Sequence, residues 1–214
     1  ASLDAWNGEG GTNIPEGATG VSIDTEAPVL EVSYDNNDVR NGHYYAASRT
    51  ATITLIESNF DIARAHDKNN ELVIARVGRD GNSVARLCSE DFQNPSADGK
   101  TWVATYTFED DADWTLDAAY TDLAGRVAQP YATSFVVDTQ APSIVVQWDN
   151  NDVANGMYYK APRNASIEVN DRNFSPDYAA VETTATDASG AGVSAPGASA
   201  WTQLEPRQKW GCSA

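Results

Sequence analysis

Oxygen-bearing side chains are concentrated in two loops of nearly identical sequence, YDNNDVRNGHYY at 34–45 and WDNNDVANGMYY at 148–159. Each loop contains two aspartates that flank two asparagines, and Ca²⁺ prefers carboxylate and amide oxygens of this kind. The loops therefore suggest calcium, which is the one cofactor that the sequence points to. The candidate ligands are Asp35, Asn37 and Asp38 in the first loop and Asp149, Asn151 and Asp152 in the second, with Asp24 and Asp138 as additional upstream carboxylates.

The same loops also support an interpretation without metal. Asn and Asp tolerate left-handed backbone and hydrogen-bond to their own turns, and each loop contains an Asn-Gly pair, Asn41-Gly42 and Asn155-Gly156. Their spacing differs from the D-x-[DN]-x-[DN]-G pattern of an EF-hand. A calcium site and a metal-free turn therefore both remain open interpretations of these residues.

Residue patterns typical of catalysis do not occur in the sequence. The two histidines, His43 and His66, lie outside signatures such as GxSxG and HExxH, and Met157 replaces His43 in the second loop. Cys88 and Cys212 do not occupy matching positions in the two loops' wider repeat, as a shared framework disulfide would require. Two free thiols or one incidental bridge are favoured over a redox role. We therefore expect a protein that is not an enzyme.

The charge balance excludes several classes of partner. The 214 residues include 31 acidic and 14 basic side chains, which gives a formal net charge of -17. Such a chain repels nucleic acid and anionic membrane surfaces. No apolar run approaches the roughly 18 residues of a membrane span, and the N-terminus lacks the features of a signal peptide. We expect neither nucleic-acid binding nor membrane insertion, and we interpret the chain as an excised or mature segment.

The two loops belong to a longer internal repeat. DTEAP at 24–28 returns as DTQAP at 138–142, 114 residues later, and residues 24–60 and 138–174 are identical at 20 of 37 positions without a gap. Agreement of this length indicates a tandem array. A unit of 114 residues is too long for a solenoid repeat and suits a complete β-sandwich.

Strand patterns inside the first unit agree with a sandwich. Apolar and polar residues alternate in short segments that are separated by turn pairs such as Asp80-Gly81 and Ala124-Gly125. Helical periodicity is nearly absent, apart from one short turn after Phe60. The prediction is an all-β fold of tandem immunoglobulin-like antiparallel β-sandwiches, the second one incomplete. The predicted strands cover 29–34, 50–57, 71–78, 83–88, 101–108, 114–122 and 132–138.

Domain boundaries follow from the repeated Asp-Thr-x-Ala-Pro joint. Residues 1–23 are predicted to be a linker and lead-in strand, 24–137 the first immunoglobulin-like domain, and 138–214 the second. The segment 206–214 matches the neighbourhood of DGKTWVAT at 98–105, so the second domain is expected to be truncated and to lack its last two or three strands.

The joint, the two loops, the pair RTATITLIESNFD and RNASIEVNDRNF, and the ending YTDLAGR together resemble bacterial Ig-like repeats of large secreted or wall-anchored surface proteins. The resemblance implies an extracellular location at the cell surface or cell wall of a Gram-positive-type bacterium, and a role as stalk, spacer or adhesin repeat. It implies neighbouring Ig-like repeats of the same chain as partners, and a host surface protein or glycan as a further one. It carries no shared catalytic residues, and an LPxTG wall-sorting signal is not found in the sequence.

An alternative function is that of a carbohydrate-binding accessory module of a secreted enzyme. Exposed aromatic rings could stack on sugars, and the candidates are Trp102, Trp114, Trp148 and Trp201 together with tyrosines. The two functions differ in one structural expectation, because sugar binding requires several exposed, coplanar aromatic rings on one face.

Overall fold

The computed structural model describes residues 23–60, 72–95 and 98–214. These residues are nearly all β, arranged in several antiparallel sheets, so the predicted all-β class is confirmed. Helical structure in the described ranges is limited to the single 3-10 turns Ser89–Asp91 and Pro176–Tyr178. None of the described helices has the length and apolar character needed to cross a membrane. The predicted helical turn after Phe60 lies outside the described residues.

In the described part of the chain, nine strands precede the second joint. All seven predicted strands are present, and the first DNND loop adds a short hairpin, β2–β3, between the first two of them. The sheets have the orders β1-β4-β7 and β2-β3-β9-β8-β5-β6, with a parallel pairing between β3 and β9. The strands are β1 Val29–Tyr34, β2 Val39–Arg40, β3 Tyr44–Tyr45, β4 Arg49–Ile56, β5 Val73–Arg79, β6 Asn82–Cys88, β7 Thr101–Phe108, β8 Ala112–Ala118 and β9 Tyr131–Val137.

Eight strands follow the second joint. They form a sheet of order β10-β13-β17-β16 and two isolated hairpins, β11–β12 and β14–β15. The position of β17 beside β13 matches that of β7 beside β4, as the similarity between 206–214 and 98–105 predicts. The strands are β10 Ser143–Trp148, β11 Val153–Asn155, β12 Tyr158–Tyr159, β13 Ala165–Asn170, β14 Ala185–Thr186, β15 Gly192–Val193, β16 Thr202–Glu205 and β17 Lys209–Ser213.

Strand register repeats along with the sequence. In the first repeat β1 pairs with β4 from Val29 opposite Ile56 to Tyr34 opposite Ala51. In the second, β10 pairs with β13 from Ser143 opposite Asn170 to Trp148 opposite Ala165, which is the same register 114 residues later. A slip of one residue would turn every side chain to the other face, so this agreement places corresponding side chains on corresponding faces.

Alternate side chains of β4 and β8 are buried and form part of the core of the first repeat. Ala51, Ile53 and Leu55 are fully buried, and so is Leu116 on β8, while the residues between them are half-buried or exposed. This period of two is the expected pattern for strands with one face in the core.

The second repeat is much more open than the first. All six residues of β10 are exposed, and Ile144 is 66% exposed where its counterpart Leu30 is 9% exposed. For the second repeat, the described residues contain only the hairpin β11–β12 as a counterpart of the six-stranded sheet. The apolar face of β10 and Ile167 on β13 are therefore open to solvent, although Ala165 and Val169 on β13 are buried.

The described residues divide into two compact units. One is built from the described residues 23–35, 50–60, 72–95, 98–107 and 114–134, and the other from 36–49, 108–113 and 135–214. The predicted domain boundary between residues 137 and 138, drawn from the sequence repeat, stays a prediction. Cys88 and Cys212 are both buried free thiols, and burial raises the pKa of the Cys212 thiol.

Candidate metal centre

The first DNND loop is built from turn hydrogen bonds. Asp35 Oδ1 accepts a hydrogen bond from the backbone N–H of Thr50 at 2.7 Å. Asn36 Oδ1 accepts one from the N–H of Asp38 at 3.0 Å. Asp38 forms an exposed ion pair with Arg40 at 2.8 Å, and this hydrogen bond and charge lower the pKa of the Asp38 carboxyl. Of the predicted ligands, Asp35 therefore fixes the loop backbone with its side chain, whereas the Asp38 carboxylate pairs with an exposed arginine.

Arg49 holds the loop from inside. Its side chain is 7% exposed, and its Nε donates to the carbonyl of Asn36 at 2.8 Å while Nη2 donates to Asn37 Oδ1 at 3.4 Å. The guanidinium also lies 4.0 Å from the ring centre of Tyr45, within the range of a cation–π interaction. One buried cation thus fixes an asparagine carbonyl, an asparagine side chain and a tyrosine ring.

The second loop repeats this arrangement atom for atom. Arg163 Nε donates to the carbonyl of Asn150 at 2.6 Å and Nη2 to Asn151 Oδ1 at 3.2 Å, with its guanidinium 4.0 Å from the ring centre of Tyr159. Asp149 Oδ1 accepts a hydrogen bond from the backbone N–H of Asn164 at 2.8 Å, as Asp35 does from Thr50. Hydrogen bonds from the backbone and the side chain of Asn164 lower the pKa of Asp149. Asp152, like Asp38, donates its backbone N–H to the asparagine two residues earlier. Calcium binding by either loop stays a prediction.

Three carboxylates converge elsewhere, at Asp24, Glu57 and Asp122, where each offers an oxygen within 4.8 Å of the other two. Antiparallel pairing brings two of them close, because the start of β1 lies opposite the end of β4. Asp24, before β1, and Glu57, after β4, therefore lie at the same end of this strand pair. Asp122 comes from the turn after β8, which closes with an isolated bridge between Thr121 and Val127.

Asp122 is the most unusual member of the group. Its side chain is 5% exposed, and Oδ1 accepts a hydrogen bond from the N–H of Arg126 at 2.7 Å. The other oxygen, Oδ2, is shielded from solvent and has no hydrogen-bond partner in the described structure. A buried carboxylate oxygen without a donor is costly, so this position calls for a positive ligand or a proton.

Asn59 links the other two carboxylates. Its backbone N–H donates to Glu57 Oε1 at 2.7 Å, and its side-chain Nδ2 donates to Asp24 Oδ2 at 3.1 Å. Asp24 Oδ1 accepts a further bond from the N–H of Glu26 at 3.2 Å. Local backbone geometry therefore orients both acidic groups before any ligand is present.

Burial and like charge act together on Glu57. Its side chain is 5% exposed, and burial raises the pKa of the Glu57 carboxyl, with further increases from the charges of Asp24 and Asp122. Two basic residues contact the group through backbone atoms. The backbone carbonyl of Lys100 accepts a hydrogen bond from the N–H of Glu57 at 2.8 Å, and Arg126 Nε donates to the backbone carbonyl of Asp24 at 3.4 Å. A cleft of about 380 Å³ borders Asp24, Glu57 and Asn59 and gives access from solvent.

The second repeat reproduces two of the three carboxylates. Asn173 donates its backbone N–H to Asp171 Oδ1 at 2.7 Å and its Nδ2 to Asp138 Oδ2 at 2.8 Å. Burial raises the pKa of Asp171, and the charge of Asp138 adds to the increase. Among the described residues of this repeat, Asp122 has no counterpart in the cluster.

Sequence reasoning missed Glu57 and Asp122 as candidate ligands, although signals for both exist. Acidic residues occur at both 57 and 171, two positions before an asparagine in each repeat. Asp122 lies in the YTDLAGR ending, which served only as a mark of resemblance. Asp24 was predicted as an additional ligand for the loop, but its carboxylate instead lies beside Glu57 and Asp122.

The four tryptophans among the candidates for sugar stacking are largely covered, with Trp148 the most exposed of them at 44%, whereas the tyrosine candidates Tyr158 and Tyr178 are exposed. Trp114 is buried, Trp102 and Trp201 are half-buried against phenylalanine rings, and Trp148 carries the guanidinium of Arg163 at 4.4 Å from its ring centre. Rings that are covered in this way offer little free face to a carbohydrate.

Comparison of the chain with protein-family models, curated proteins and solved structures gives no match. The all-β class therefore rests on the strands themselves, and the resemblance to bacterial Ig-like repeats rests on the quoted motifs.

Proposed function

We propose that the chain is a non-enzymatic repeat module of a bacterial surface protein, located outside the cell and acting as a stalk or spacer. The observation that carries this proposal is the duplicated turn network around Arg49 and Arg163. Each arginine donates equivalent hydrogen bonds to the two corresponding asparagines of its own loop and lies over the corresponding tyrosine ring. Repeated residues are thus used to fix backbone, which is what a chain of similar rigid units requires.

The titratable groups support a role without catalysis. His43, the one histidine among the described residues, is exposed on the loop before β3. Both cysteine thiols are buried, and the pKa of Cys212 is raised, which disfavours the reactive thiolate. Adhesion to a host surface protein or glycan belongs to the same proposal, as a role added to a structural repeat.

The carbohydrate-binding alternative has less support. It requires exposed coplanar rings, whereas Trp114 is 3% exposed and the ring of Trp102 packs against Phe60, with 4.8 Å between ring centres. A glycan array probed with the chain tests it directly. Binding that survives Trp148→Ala and Trp201→Ala would locate a sugar site outside the predicted platform.

Surface labelling tests the proposed location. Lys100 and Lys160 are exposed, so a membrane-impermeant amine reagent should label the protein on intact cells of the bacterium that produces it. A cytoplasmic protein, followed in the same sample, should be labelled only after lysis. Labelling of this chain only after lysis would contradict an extracellular role, whatever the metal chemistry of the chain.

A further inference from the structure

We propose that Asp24, Glu57 and Asp122 bind a divalent cation of the Ca²⁺ class, which ties the N-terminal joint to the edge of the first repeat. This site is distinct from the DNND loops, and its existence does not depend on the proposed spacer role. The three carboxylates come from three separate segments, namely the joint before β1, the end of β4 and the turn after β8.

The first argument is geometric. Two oxygens on opposite sides of one Ca²⁺ are about 5 Å apart, because each Ca–O distance is roughly 2.3–2.6 Å. Oxygens of Asp24, Glu57 and Asp122 that lie within 4.8 Å of each other can therefore contact one ion with small adjustments.

The second argument is the state of Asp122. Among the described residues, its buried Oδ2 has no hydrogen-bond donor, while its Oδ1 accepts a hydrogen bond from the N–H of Arg126. The carboxylate is therefore held in place through one oxygen and buried at the other. A cation in the group would neutralise this buried carboxylate and cancel the repulsion from Asp24 and Glu57.

The ligand set selects among metals. Three carboxylates without histidine or cysteine favour hard cations over zinc or copper. Mg²⁺ requires near-ideal octahedral geometry and is usually held by one or two carboxylates, whereas Ca²⁺ accepts more oxygens in irregular arrangements. The solvent cleft beside Asp24 and Glu57 would supply water for the remaining positions.

Protonation of Glu57 is the competing way to relieve the same repulsion. The groups that face Glu57 are the carboxylates of Asp24 and Asp122, with Lys100 and Arg126 attached through backbone carbonyls. Replacement by glutamine separates the two explanations. Glutamine keeps the acceptor for Asn59 N–H and resembles the protonated acid, but it replaces a charged, bidentate-capable metal ligand with a weaker neutral one.

The test uses the full 214-residue chain in metal-free buffer at neutral pH, with CaCl₂ or MgCl₂ added up to about 10 mM. Calorimetric titration should show one calcium site per chain, and Ca²⁺ should raise the melting temperature because it binds only the folded state. Glu57→Gln and Asp122→Asn should each weaken calcium affinity at least about tenfold and abolish most of the shift in melting temperature.

Matched controls are available in the second repeat and in the loop. Asp171→Asn neutralises the counterpart of Glu57, and Asp38→Asn neutralises a predicted loop ligand, so neither should change calcium affinity at the site of Asp24, Glu57 and Asp122. Glu57→Gln should melt no lower than wild type without calcium, which shows that the variant folds. The proposal is overturned by the absence of any calcium-dependent shift, by a shift that persists in Glu57→Gln, or by one that Asp38→Asn alone abolishes.

Discussion

Arg49 shows how one buried side chain can determine a loop. Its planar guanidinium makes three contacts within the loop at once. It donates hydrogen bonds to Asn36 and Asn37, and it lies over the ring of Tyr45. Lysine has the same charge but lacks the planar fork, so it cannot reproduce two directed bonds and a stacked ring.

Substitution of the two repeated arginines should therefore differ in cost. We expect Arg49→Lys to lower the free energy of unfolding by about 1.5–3 kcal/mol, the usual range for hydrogen bonds that involve a charged group. Arg163→Lys should lower it less, because Arg163 is half-buried where Arg49 is buried. Urea denaturation measures both, and Arg40→Lys, at an exposed ion pair, serves as the neutral control. Equal losses for all three variants would contradict this account.

Glu57 leads to a prediction about pH. Its pKa is raised in the folded state, so between the unfolded and folded pKa values the folded protein binds more protons than the unfolded chain. In calcium-free buffer, stability should therefore fall as pH rises through that interval and remain lower above it.

The variant Glu57→Gln should lose this fall and be more stable than wild type at neutral pH. Melting temperatures of both proteins between pH 4 and 8 provide the comparison. Asp171 also has a raised pKa, but it is present in both proteins, so the difference between the two curves reports Glu57. Parallel curves would show that Glu57 ionises normally.

At this scale the sequence predicted which residues repeat but not what each one does. Asp35, Asn37 and Asp38 were candidate ligands because their type and spacing suit calcium, and the same types suit turns equally well. Only tertiary pairing brings Asp24, Glu57 and Asp122 together, since they are distant in the chain. Pairwise proximity of this kind leaves no local pattern in one sequence.

At the scale of elements, prediction was more successful. Alternation over 29–34 and 50–57 identified β1 and β4 closely, because half-buried strands impose a period of two on the residues themselves. The short hairpins β2–β3 and β11–β12 were missed, since two or three residues are too few to show any period. Asn41, with φ of 44°, and Gly42, with φ of 88°, form the first hairpin turn, as an Asn-Gly pair predicts.

Two matched positions test how much the burial of a strand contributes to the free energy of unfolding. Ile53 on β4 is fully buried, and its counterpart Ile167 on β13 is only half-buried. Ile53→Ala should cost about 2–5 kcal/mol, the usual loss for deleting a buried aliphatic side chain. Ile167→Ala should cost clearly less, because water already contacts the side chain. Urea unfolding followed by tryptophan fluorescence measures both, and equal costs would imply that β13 is covered in solution.

At the scale of the whole molecule, the two repeats share a register but differ in burial. Leu30 and Ile144 occupy equivalent positions, yet one is buried and the other 66% exposed. Buried apolar area provides most of the stability of a sheet, whereas strand pairing alone is marginal. The same sequence pattern should therefore produce two repeats of unequal stability.

Hydrogen exchange can compare the repeats amide by amide, because each amide of the β1–β4 pair has a counterpart in the β10–β13 pair. We expect amides in the second pair to exchange at least about tenfold faster than their counterparts, since their sheet opens locally at a lower free energy. Mass spectrometry of peptides covering 29–34, 51–56, 143–148 and 165–170 measures this difference without any mutation. Salt and pH are identical for both pairs within one sample, which removes the main sources of error. Equal protection would mean that another surface covers the open face of β10 and β13 in solution. A dilution series would then show whether that surface belongs to a second copy of the chain.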